Sequence, residues 1–417
     1  TQITLFRTLI AMDWKIPKLD ESEKLRILMV APQPWFQPRG TPFSVLHRIK
    51  ALSLLGHHID LVTYHVGQDI QIPNLTIHRA RKLSFIKKVK IGPSFPKILL
   101  DVALYKKSIE LLRKHRYDYL HTHEEAAFFG VPLAKKFRLP HLYDMHSSLP
   151  QQLQNFKFSN SQLLTGLFER LERNTIENSG AIITICPELQ EYVTKHFPHK
   201  TSLLIENVAD NSVVFPPSQA NEQQLRQQYN LNGEKLVLYY GTFEPYQGID
   251  MLIDSVAHVS KKRQNGVHFV MVGGNEQQVS AYKNKAAKRG VGSYFTFTGF
   301  VQPELIPSFV SMSHVLVSPR LKGTNSPLKI YSYLRSGKPI VATRHITHTQ
   351  ILSDSVSVLA DPDPETFAEG ILSILDDEPK QRQLVLAAQQ LAEKHYSYDD
   401  YLQKTKWIVE QVMRSVN

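Results

Sequence analysis

Short apolar runs alternate with longer amphipathic runs along this chain, and the alternation occurs twice. The apolar runs are 25–30, 58–64, 117–122, 140–145 and 181–185 in the first half and 235–240, 267–272, 294–299, 314–318 and 339–343 in the second. Apolar strands separated by segments with helical spacing, such as 44–56 and 248–262, are typical of parallel sheets that helices cover on both faces. The pattern predicts an α/β fold with two Rossmann-like, doubly wound parallel-sheet domains.

The polar segment 210–224 separates the two halves and contains the pair Pro216-Pro217, so it is predicted to be a linker. The predicted parts are an N-terminal extension at 1–24, a first domain at 25–209, the linker at 210–224, a second domain at 225–395 and a final segment at 396–417. In open parallel sheets, ligands bind beyond the carboxyl ends of the strands. We therefore expect the domains to face a central cleft and the site to lie in loops that follow strands.

The segment 318–343 contains the most informative loop of the second half. It follows an apolar strand, contains Arg320, and offers Ser326-Pro327 as an N-cap and first helical position. Lys329 then falls in the first turn of the predicted helix, where the helix dipole disfavours a cation unless an anion binds there. A solvated basic loop is the other interpretation of this segment by itself.

Glycines stand directly after several predicted strands. Gly241 and the pair Gly273-Gly274 do so in the second half, and a missing side chain there lets the backbone approach a phosphate or a ribose. The first loop ends in Arg39-Gly40-Thr41-Pro42, with Thr41 as the predicted N-cap. This loop lacks the G-x-G-x-x-G pattern of NAD-binding domains, so the support for an NAD-binding site is weak. The alternative for the glycines is that they belong to ordinary turns. The alternative for Arg39 is an exposed loop arginine that binds no ligand.

Two histidine motifs end predicted strands. His121 and His123 lie on one strand face and could ligate a metal, but no third ligand has a recognisable spacing, so no metal site is predicted. His146 follows Asp144 just past another strand and could hydrogen-bond a substrate or orient a leaving group. A buried structural histidine is the alternative that the sequence by itself favours. The absence of a G-x-S-x-G motif argues against a hydrolase.

The net charge of +11 is concentrated in one segment. Residues 79–116 contain twelve Lys or Arg residues and only the two acids Asp101 and Glu110. A local excess of this kind favours a polyanionic partner, either a nucleic acid or an anionic membrane face.

The same basic segment is predicted to form an amphipathic helix over 97–115. Its apolar stripe comprises Ile98, Val102, Tyr105, Ile109 and Leu112. Lys106 and Lys107 lie off this stripe, and Lys87 and Lys88 stand among apolar residues just before it. The pattern fits a helix on a membrane surface, and it fits equally a helix packed on its own domain.

The cysteine content, the length of the apolar runs and the N-terminal segment limit the possible classes of protein. Cys186 is the only cysteine, so neither a disulfide framework nor a cysteine-based zinc site is predicted. No apolar run approaches the roughly 20 residues of a transmembrane helix. Residues 1–24 lack the shape of a signal peptide. We expect a cytoplasmic protein, with peripheral attachment to the inner face of a membrane as a further option.

Several motifs together resemble the family 4 glycosyltransferases (glycosyltransferase group 1), which are retaining enzymes of the GT-B fold. The resemblance covers roughly residues 25–417. The matching segments are 54–64, similar to the family's G-H-x-V-x-V-x-T, 205–210 at the family's domain junction, 299–319 before the donor loop, and 339–343, similar to the end of x-G-x-P-V-[IV]-A. The tail, with Tyr396 and Trp407, resembles a C-terminal helix that crosses back to the first domain.

The chain departs from the family pattern at the donor loop. The family has an arginine and a lysine after the first strand of the second domain, where this chain has Thr242 and Gln247. The two glutamates of the family's E-x(7)-E fall on Thr324 and Ser332. The resemblance therefore implies a subgroup with a diverged donor loop. In this subgroup Lys329, Arg320 and Lys322 would supply the charge for the diphosphate, and Ser332 would hold the ribose only weakly.

The resemblance implies transfer of a hexose-type sugar from a UDP- or GDP-linked donor to a hydroxyl acceptor, lipid-linked or a glycan, with retention and without a metal or other cofactor. It assigns His146 to the donor sugar and Lys329 to the charge of the leaving diphosphate. The expected donor-binding residues are Gly40, Gly241, Thr242, Gln247, Gly273, Gly274, Arg320, Thr324, Asn325, Ser326 and Ser332, and the expected acceptor or membrane residues are Arg39, Lys87, Lys88, Lys106 and Lys107.

Two other functions fit parts of the pattern. A nucleotide-sugar epimerase could use the same fold and would release free nucleotide without an acceptor product. A basic protein that binds nucleic acid or membrane through a catalytically inactive GT-B fold would explain the charge. The charge excess lies in one segment without aromatic stacking motifs, so a nucleic-acid partner is not predicted.

Overall fold

A computed structural model describes residues 24–36, 40–86, 89, 95–148, 162–206, 217–231, 233–263 and 266–415. The chain divides into two compact units. The first comprises Thr1–Asn207 together with Tyr398–Asn417, and the second comprises Val208–Ser397.

The first unit contains a seven-stranded parallel sheet with helices between the strands. Its strands are β1 (Arg26–Ala31), β2 (His58–Thr63), β3 (Leu75–Arg79), β4 (Tyr119–His123), β5 (His141–Met145), β6 (Ala181–Thr184) and β7 (Ser202–Leu204), in the order β3-β2-β1-β4-β5-β6-β7. Its helices are α1 (Gly40–Leu54), α2 (Phe95–Lys114), α3 (Ala126–Phe137), α4 (Gln162–Asn178) and α5 (Pro187–His196). The order reverses between β1 and β4, so a crevice forms beyond the carboxyl ends of these two strands.

The second unit repeats this plan with six parallel strands. They are β8 (Lys235–Tyr240), β9 (Val267–Val272), β10 (Phe295–Gly299), β11 (Val315–Ser318), β12 (Ile340–Thr343) and β13 (Val358–Ala360), in the order β10-β9-β8-β11-β12-β13. The helices are α6 (Gln219–Tyr229), α7 (Ile249–Lys262), α8 (Glu276–Lys288), α9 (Ile306–Met312), α10 (Lys329–Arg335), α11 (Ile346–Thr349), α12 (Pro364–Leu375) and α13 (Glu378–His395). Here the order reverses between β8 and β11.

The chain ends in α14 (Tyr398–Arg414), which belongs to the first unit and packs on α1 and β6. Its buried face includes Tyr401, Thr405 and Ile408. Among the described residues, no helix is both long and apolar enough to cross a bilayer.

The ten strands predicted from the sequence are all present, which confirms the predicted fold class. Their interior positions are buried on both faces, as in β1 and β8, so the strands are apolar at almost every position. Three of the four edge strands, β3, β7 and β13, were not predicted from the sequence. They have three to five residues and are partly exposed, so they lack a long apolar run.

Three predicted boundaries were wrong. α1 begins at Gly40, and the Thr41 hydroxyl, which was expected to cap the helix, donates to the Glu124 carboxylate at 3.3 Å. α10 begins at Lys329 rather than at the expected cap Ser326, because Pro327 and Leu328 already form a tight turn whose Pro327 carbonyl accepts from the Ile330 amide. Residues 219–224 of the predicted linker form the start of α6, which Ser218 caps, while 210–216 lie outside the described residues.

Candidate functional site

Lys329 lies at the carboxyl ends of β8 and β11, where the strand order of the second unit reverses. It is the first residue of α10 and its side chain is buried. Its Nζ donates to the Tyr240 carbonyl at 3.3 Å and stands 3.8 Å from the centre of the Tyr239 ring. The ammonium group is thus held under the loop that follows β8.

No carboxylate compensates this ammonium group among the described residues. Burial lowers the pKa of Lys329 well below its ordinary value, and the nearby Arg320 lowers it further. A buried cation that has only a carbonyl and a ring as partners is costly. The surroundings of Lys329 are therefore electrostatically complementary to an anion.

Arg320 supplies a second cation in the same loop region. Its guanidinium lies over the Tyr246 ring at 5.1 Å, and its Nε donates to the Lys322 carbonyl at 2.9 Å. Burial also lowers the pKa of Arg320. The side chain folds along its own loop, so its position is fixed before any ligand arrives.

The glycines of the second unit allow its loops to touch one another. A Cβ atom on Gly273, whose φ is +123°, would lie 2.0 Å from the Gly241 carbonyl oxygen. A Cβ on Gly274 would lie 2.4 Å from the Phe243 ring. These glycines thus allow the loops after β8 and β9 to pack on each other, and the predicted approach of their backbone to a phosphate or ribose stays a prediction. The packing of the loops brings Gly241, and with it Lys329, to a fixed place at the sheet edge.

Thr242 and Gln247 occupy the positions where the family pattern has Arg and Lys, and both belong to the loop after β8. The Tyr239 hydroxyl donates to the Thr242 carbonyl at 2.7 Å, and Gln247 Nε2 lies 3.4 Å from Thr242 Oγ1. The Oε1 atom of Gln247 is buried and has no hydrogen-bond partner within the described part of the chain. Neither residue carries charge, so Lys329 and Arg320 are the cations of this loop cluster.

The remaining predicted donor residues lie between β11 and α10 or on α10 itself. The Thr324 carbonyl accepts from Gln350 Nε2 at 2.6 Å. Ser326 Oγ is buried without a hydrogen-bond partner in the described residues, and Asn325 is partly exposed. Ser332 is partly exposed one turn after Lys329, so both residues share a face of α10.

In the first unit, His146 belongs to a buried cluster around Asp144. β4 and β5 pair with His123 opposite Asp144. His146 Nε2 lies 3.2 Å from Asp144 Oδ1 and 3.0 Å from His123 Nδ1. The rings of His121 and His123 stack at 4.7 Å. The strand spacing thus places three histidines against one carboxylate.

Arg48 compensates the charge of Asp144. Its Nε donates to Asp144 Oδ2 at 2.9 Å, and both side chains are almost completely buried. Although burial opposes ionisation of Asp144, Arg48 and the adjacent histidines hold the pKa of that carboxyl well below its ordinary value. Arg48 is held in turn by α14, since its Nη1 lies 3.4 Å from Thr405 Oγ1 and its guanidinium lies over the Tyr401 ring.

The sequence analysis did not identify Arg48, Tyr401 or Thr405. Arg48 lies inside the apolar face of the predicted helix 44–56, between Leu46 and Ile49, and a charged residue at such a position needs a buried partner. That feature could have drawn attention to Arg48. Nothing local identifies its partner, because 96 residues separate Arg48 from Asp144.

One ligand atom each from His121, His123 and Asp144 lies within 4.8 Å of the others, a spacing that a metal ion could bridge. Burial lowers the pKa values of both histidines, so both rings are neutral at ordinary pH. The Asp144 oxygen nearest to them, Oδ2, already accepts from Arg48. A guanidinium cation on that oxygen opposes a divalent cation at the same place, so the set fits a metal poorly.

Three acids lie near this cluster, Asp101 on α2 and Glu124 and Glu125 in the loop after β4. Asp101 Oδ1 accepts from the Tyr64 hydroxyl at 2.6 Å, and burial raises the pKa of Asp101 to about 7. Glu125 Oε1 lies 3.4 Å from Lys97 Nζ. Glu124, which contacts Thr41, has a φ of +49°. Gly40 begins α1 in the same region, and Arg39 lies outside the described residues.

The predicted membrane residues are only partly visible. Lys87 and Lys88 lie outside the described residues. Lys106 is exposed on α2, whereas Lys107 is partly buried and lies 3.1 Å from Glu110 Oε2.

Comparison with known families agrees with this architecture. Residues 221–391, which include Lys329, match the model described as Glycosyl transferases group 1. Residues 38–213, which include His146, match Glycosyltransferase Family 4. The chain is a group 1 glycosyltransferase with a family 4 N-terminal domain. The family matches contain both clusters described above without assigning roles to their residues.

Relatives of this glycosyltransferase are distant in sequence and similar in fold. The alpha-D-kanosaminyltransferase of Streptomyces kanamyceticus is 23% identical over 284 residues, which cover 65% of this chain and 70% of that protein. The structure of sucrose-phosphate synthase from Thermosynechococcus elongatus matches with a TM-score of 0.77 and 19% identity, over 94% of this chain and all of that one. Anabaena Alr3699/HepE, in complex with UDP and glucose, matches with a TM-score of 0.72 and 17% identity, over 93% and 99% of the two chains. These matches identify the fold as GT-B.

Proposed function

We propose that this glycosyltransferase transfers a hexose from a UDP- or GDP-linked donor to a hydroxyl acceptor, with retention of configuration and without a metal cofactor. The single observation that carries the proposal is the buried, uncompensated ammonium group of Lys329 at the point where the strand order of the second unit reverses. A nucleoside diphosphate supplies the anion that this ammonium group lacks.

The chemistry uses the cationic forms of Lys329 and Arg320, and the bound diphosphate favours the protonated form of Lys329. The bond between the sugar C1 and the diphosphate oxygen breaks, and negative charge develops on the leaving diphosphate. A new bond forms between C1 and the acceptor oxygen, whose proton is released. Preorganised cations in a site that excludes water stabilise the developing charge more than solvent does. Lys329, packed against Tyr239 and Tyr240, needs no rearrangement to do so.

In the first unit, His146 is assigned to the sugar. Asp144 and His123 contact its Nε2, which fixes the plane of the imidazole ring. Arg48 keeps Asp144 ionised, so the carboxylate remains a hydrogen-bond acceptor over the whole physiological pH range. In this proposal His146 hydrogen-bonds a hydroxyl of the donor sugar.

The remaining donor contacts follow from the loop cluster. Gly241, Gly273 and Gly274 present backbone atoms, and Ser332 takes the place of the family's ribose-binding glutamate as a weaker partner. The Anabaena HepE complexes with UDP or UDP-glucose support a nucleotide-sugar donor and include a uridine nucleotide, whereas another structural neighbour, starch synthase IV from Arabidopsis thaliana, is bound to ADP. A guanosine donor is the competing possibility within the same proposal.

A donor screen followed by a transfer assay tests the proposal. Binding to the native state raises the unfolding midpoint, so UDP-, GDP-, ADP- and dTDP-sugars can be ranked by thermal shift. Turnover with the selected donor is then compared between Lys329→Ala and Lys322→Ala, which removes an exposed lysine of the same loop. We expect Lys329→Ala to lose at least about a hundredfold in kcat, as for removal of one transition-state contact, and Lys322→Ala to remain near wild type. Near-normal turnover of Lys329→Ala contradicts the proposal. Release of free nucleotide without an acceptor product would identify an epimerase instead.

A further inference from the structure

The solvent-exposed face of α2 carries large apolar side chains. In a helix that only packs on its own domain, the solvent-exposed face is ordinarily polar. Ile98, Leu99, Val102 and Tyr105 are 56%, 47%, 47% and 37% exposed. Three of them, Ile98, Val102 and Tyr105, were predicted to form a stripe that packs on the domain or on a membrane. We call these four side chains the apolar ridge.

The core side of α2 is a different face. Its buried residues are Leu100, Ala103, Leu104, Ser108, Leu111 and Leu112. At 100° per residue Leu100, Leu104 and Leu111 lie opposite the apolar ridge. The helix therefore has core contacts on that opposite face, and the apolar ridge is additional to them. Leu112, which was assigned to the stripe from spacing, shares the angular position of Tyr105 but is buried two turns further along, so the exposed ridge ends before it.

Positive charge accompanies the apolar ridge. Lys106 and Arg113 are exposed and project from the same side of α2 as the ridge, and neither has an ion pair within the described ranges. Phe85, 69% exposed, follows the exposed residues Arg81 and Lys82 on the preceding loop.

The acids of the basic segment do not offset this charge. Asp101 turns toward the core and accepts from Tyr64. Glu110 is shared by Lys107 and Lys114, at 3.1 and 2.8 Å. The exposed surface thus combines large apolar side chains with uncompensated cations.

We propose that the apolar ridge inserts into the interface of an anionic lipid bilayer while the flanking Lys and Arg residues contact the lipid phosphates. A bilayer accepts apolar side chains and cations from a convex helix without requiring a complementary groove. Anionic lipid adds an attraction for each nearby cation. An apolar ridge by itself could also contact a protein. The exposed cations beside it match the phosphates of anionic lipids, and this match favours a lipid surface over a protein partner.

The position of α2 relates this surface to the acceptor. α2 leads into β4, so its first turns lie at the carboxyl edge of the sheet, as the contact between Lys97 and Glu125 shows. β4 ends at His123, which touches His146. A lipid-linked acceptor would thus enter from the side where the enzyme meets the membrane. This part of the inference rests on the proposed transferase function, whereas bilayer binding itself does not.

Vesicle co-sedimentation of the whole chain tests the inference without any nucleotide-sugar. The vesicles contain phosphatidylcholine with or without phosphatidylglycerol. The ridge variant is Ile98→Ser/Val102→Ser, and its matched control is Ile346→Ser/Leu386→Ser, two aliphatic residues of the second unit that are 50% and 58% exposed. The charge variant is Lys106→Gln/Arg113→Gln.

We expect wild type and control to bind vesicles that contain phosphatidylglycerol and to bind phosphatidylcholine alone weakly. The partition coefficient should fall by about tenfold or more in the ridge variant, which loses two aliphatic side chains from the interface. The charge variant should lose binding to phosphatidylglycerol. In addition, Val102→Trp should show fluorescence quenching by brominated lipid.

Several outcomes overturn the inference. Absence of wild-type binding to anionic vesicles does so, and so does a ridge variant that binds like its control. Concentration-dependent dimerisation in velocity sedimentation that the ridge variant abolishes, without vesicle binding, assigns the surface to a second copy of the chain. Binding to duplex DNA without binding to vesicles assigns it to nucleic acid. The donor-induced thermal shift of the ridge variant, measured without vesicles, shows separately whether the transferase proposal holds.

Discussion

Arg48 Nε lies 2.9 Å from Asp144 Oδ2, and both side chains are buried in the first unit. This ion pair joins α1 to β5. His146 contacts the Asp144 carboxylate of the pair at 3.2 Å. The same guanidinium reaches Thr405 of the last helix. The pair therefore connects the candidate site of the first unit to the end of the chain.

Arg48→Met should destabilise the protein by about 3–5 kcal/mol, because it leaves the Asp144 carboxylate buried without its counter-ion. The double variant Arg48→Met/Asp144→Asn should recover most of that loss, since no isolated charge remains. Denaturant unfolding at neutral pH measures both. If the double variant is as unstable as the single one, the packing of Arg48 rather than its charge matters most.

Asp144→Asn should lower transfer by about a hundredfold with little change in the KM for the donor, because the ring of His146 loses its anionic partner at 3.2 Å. Steady-state kinetics over a range of pH separates this effect from instability. The comparison is Thr405→Val, which removes a 3.4 Å contact to Arg48 and the hydrogen bond from the Thr405 hydroxyl to the Tyr401 carbonyl, and it should cost about 1 kcal/mol of stability. An Asp144→Asn variant with wild-type kcat would exclude the positioning role.

His348 should contribute to acid unfolding. It bridges Ser318 and Thr343, at 2.8 and 3.0 Å, and burial lowers its pKa to about 3. A histidine with a depressed pKa favours folding above about pH 6.5, its unfolded pKa, and this contribution is lost as the pH falls toward the folded value. At pH 4 the loss amounts to about 3 kcal/mol. His348→Asn should unfold with a shallower dependence on pH between 4 and 7, measured by denaturant midpoints. An unchanged dependence refutes this role.

Lys329→Met should stabilise the ligand-free protein by about 1–3 kcal/mol, because a buried cation without a counter-ion is replaced by an apolar side chain. The unfolded chain binds a proton that the folded Lys329 binds poorly, so Lys329 should add a positive slope to the dependence of stability on pH, between its lowered folded pKa and its ordinary value of about 10.4. The variant should lose part of this slope. Lys322→Met, at an exposed position, should change stability by less than about 0.5 kcal/mol. Destabilisation by Lys329→Met would mean that the ammonium group already has a sufficient partner.

The sheets could be predicted from the sequence because their central strands are buried on both faces. The apolar runs of β1, β8 and β11 follow from that burial. Edge strands such as β7 have no comparable constraint and gave no pattern. Lys329 was identifiable because a lysine in the first turn of a helix opposes the dipole, and this holds although the predicted cap was wrong.

The partners within each cluster could not be predicted. Arg48, Asp144 and Thr405 are brought together by contacts that span 96 and 357 residues. Local spacing contains no information about such contacts. Likewise, periodicity showed that α2 is amphipathic, but only the packing of Leu100 and Leu104 shows which face the core uses. The exposed apolar ridge became visible from that assignment.

The central claim is that Lys329 holds the diphosphate, and calorimetric titration of UDP and GDP tests it most directly. An anion beside Lys329 raises its depressed pKa, so binding above the folded pKa should take up a proton, measured in two buffers of different ionisation enthalpy. We predict proton uptake in wild type and in Lys322→Met. Lys329→Met should show no uptake and an affinity at least about tenfold lower, as expected for loss of a charge-assisted contact. If Lys329→Met binds the nucleotide as tightly as Lys322→Met, with the same proton uptake, the account is contradicted.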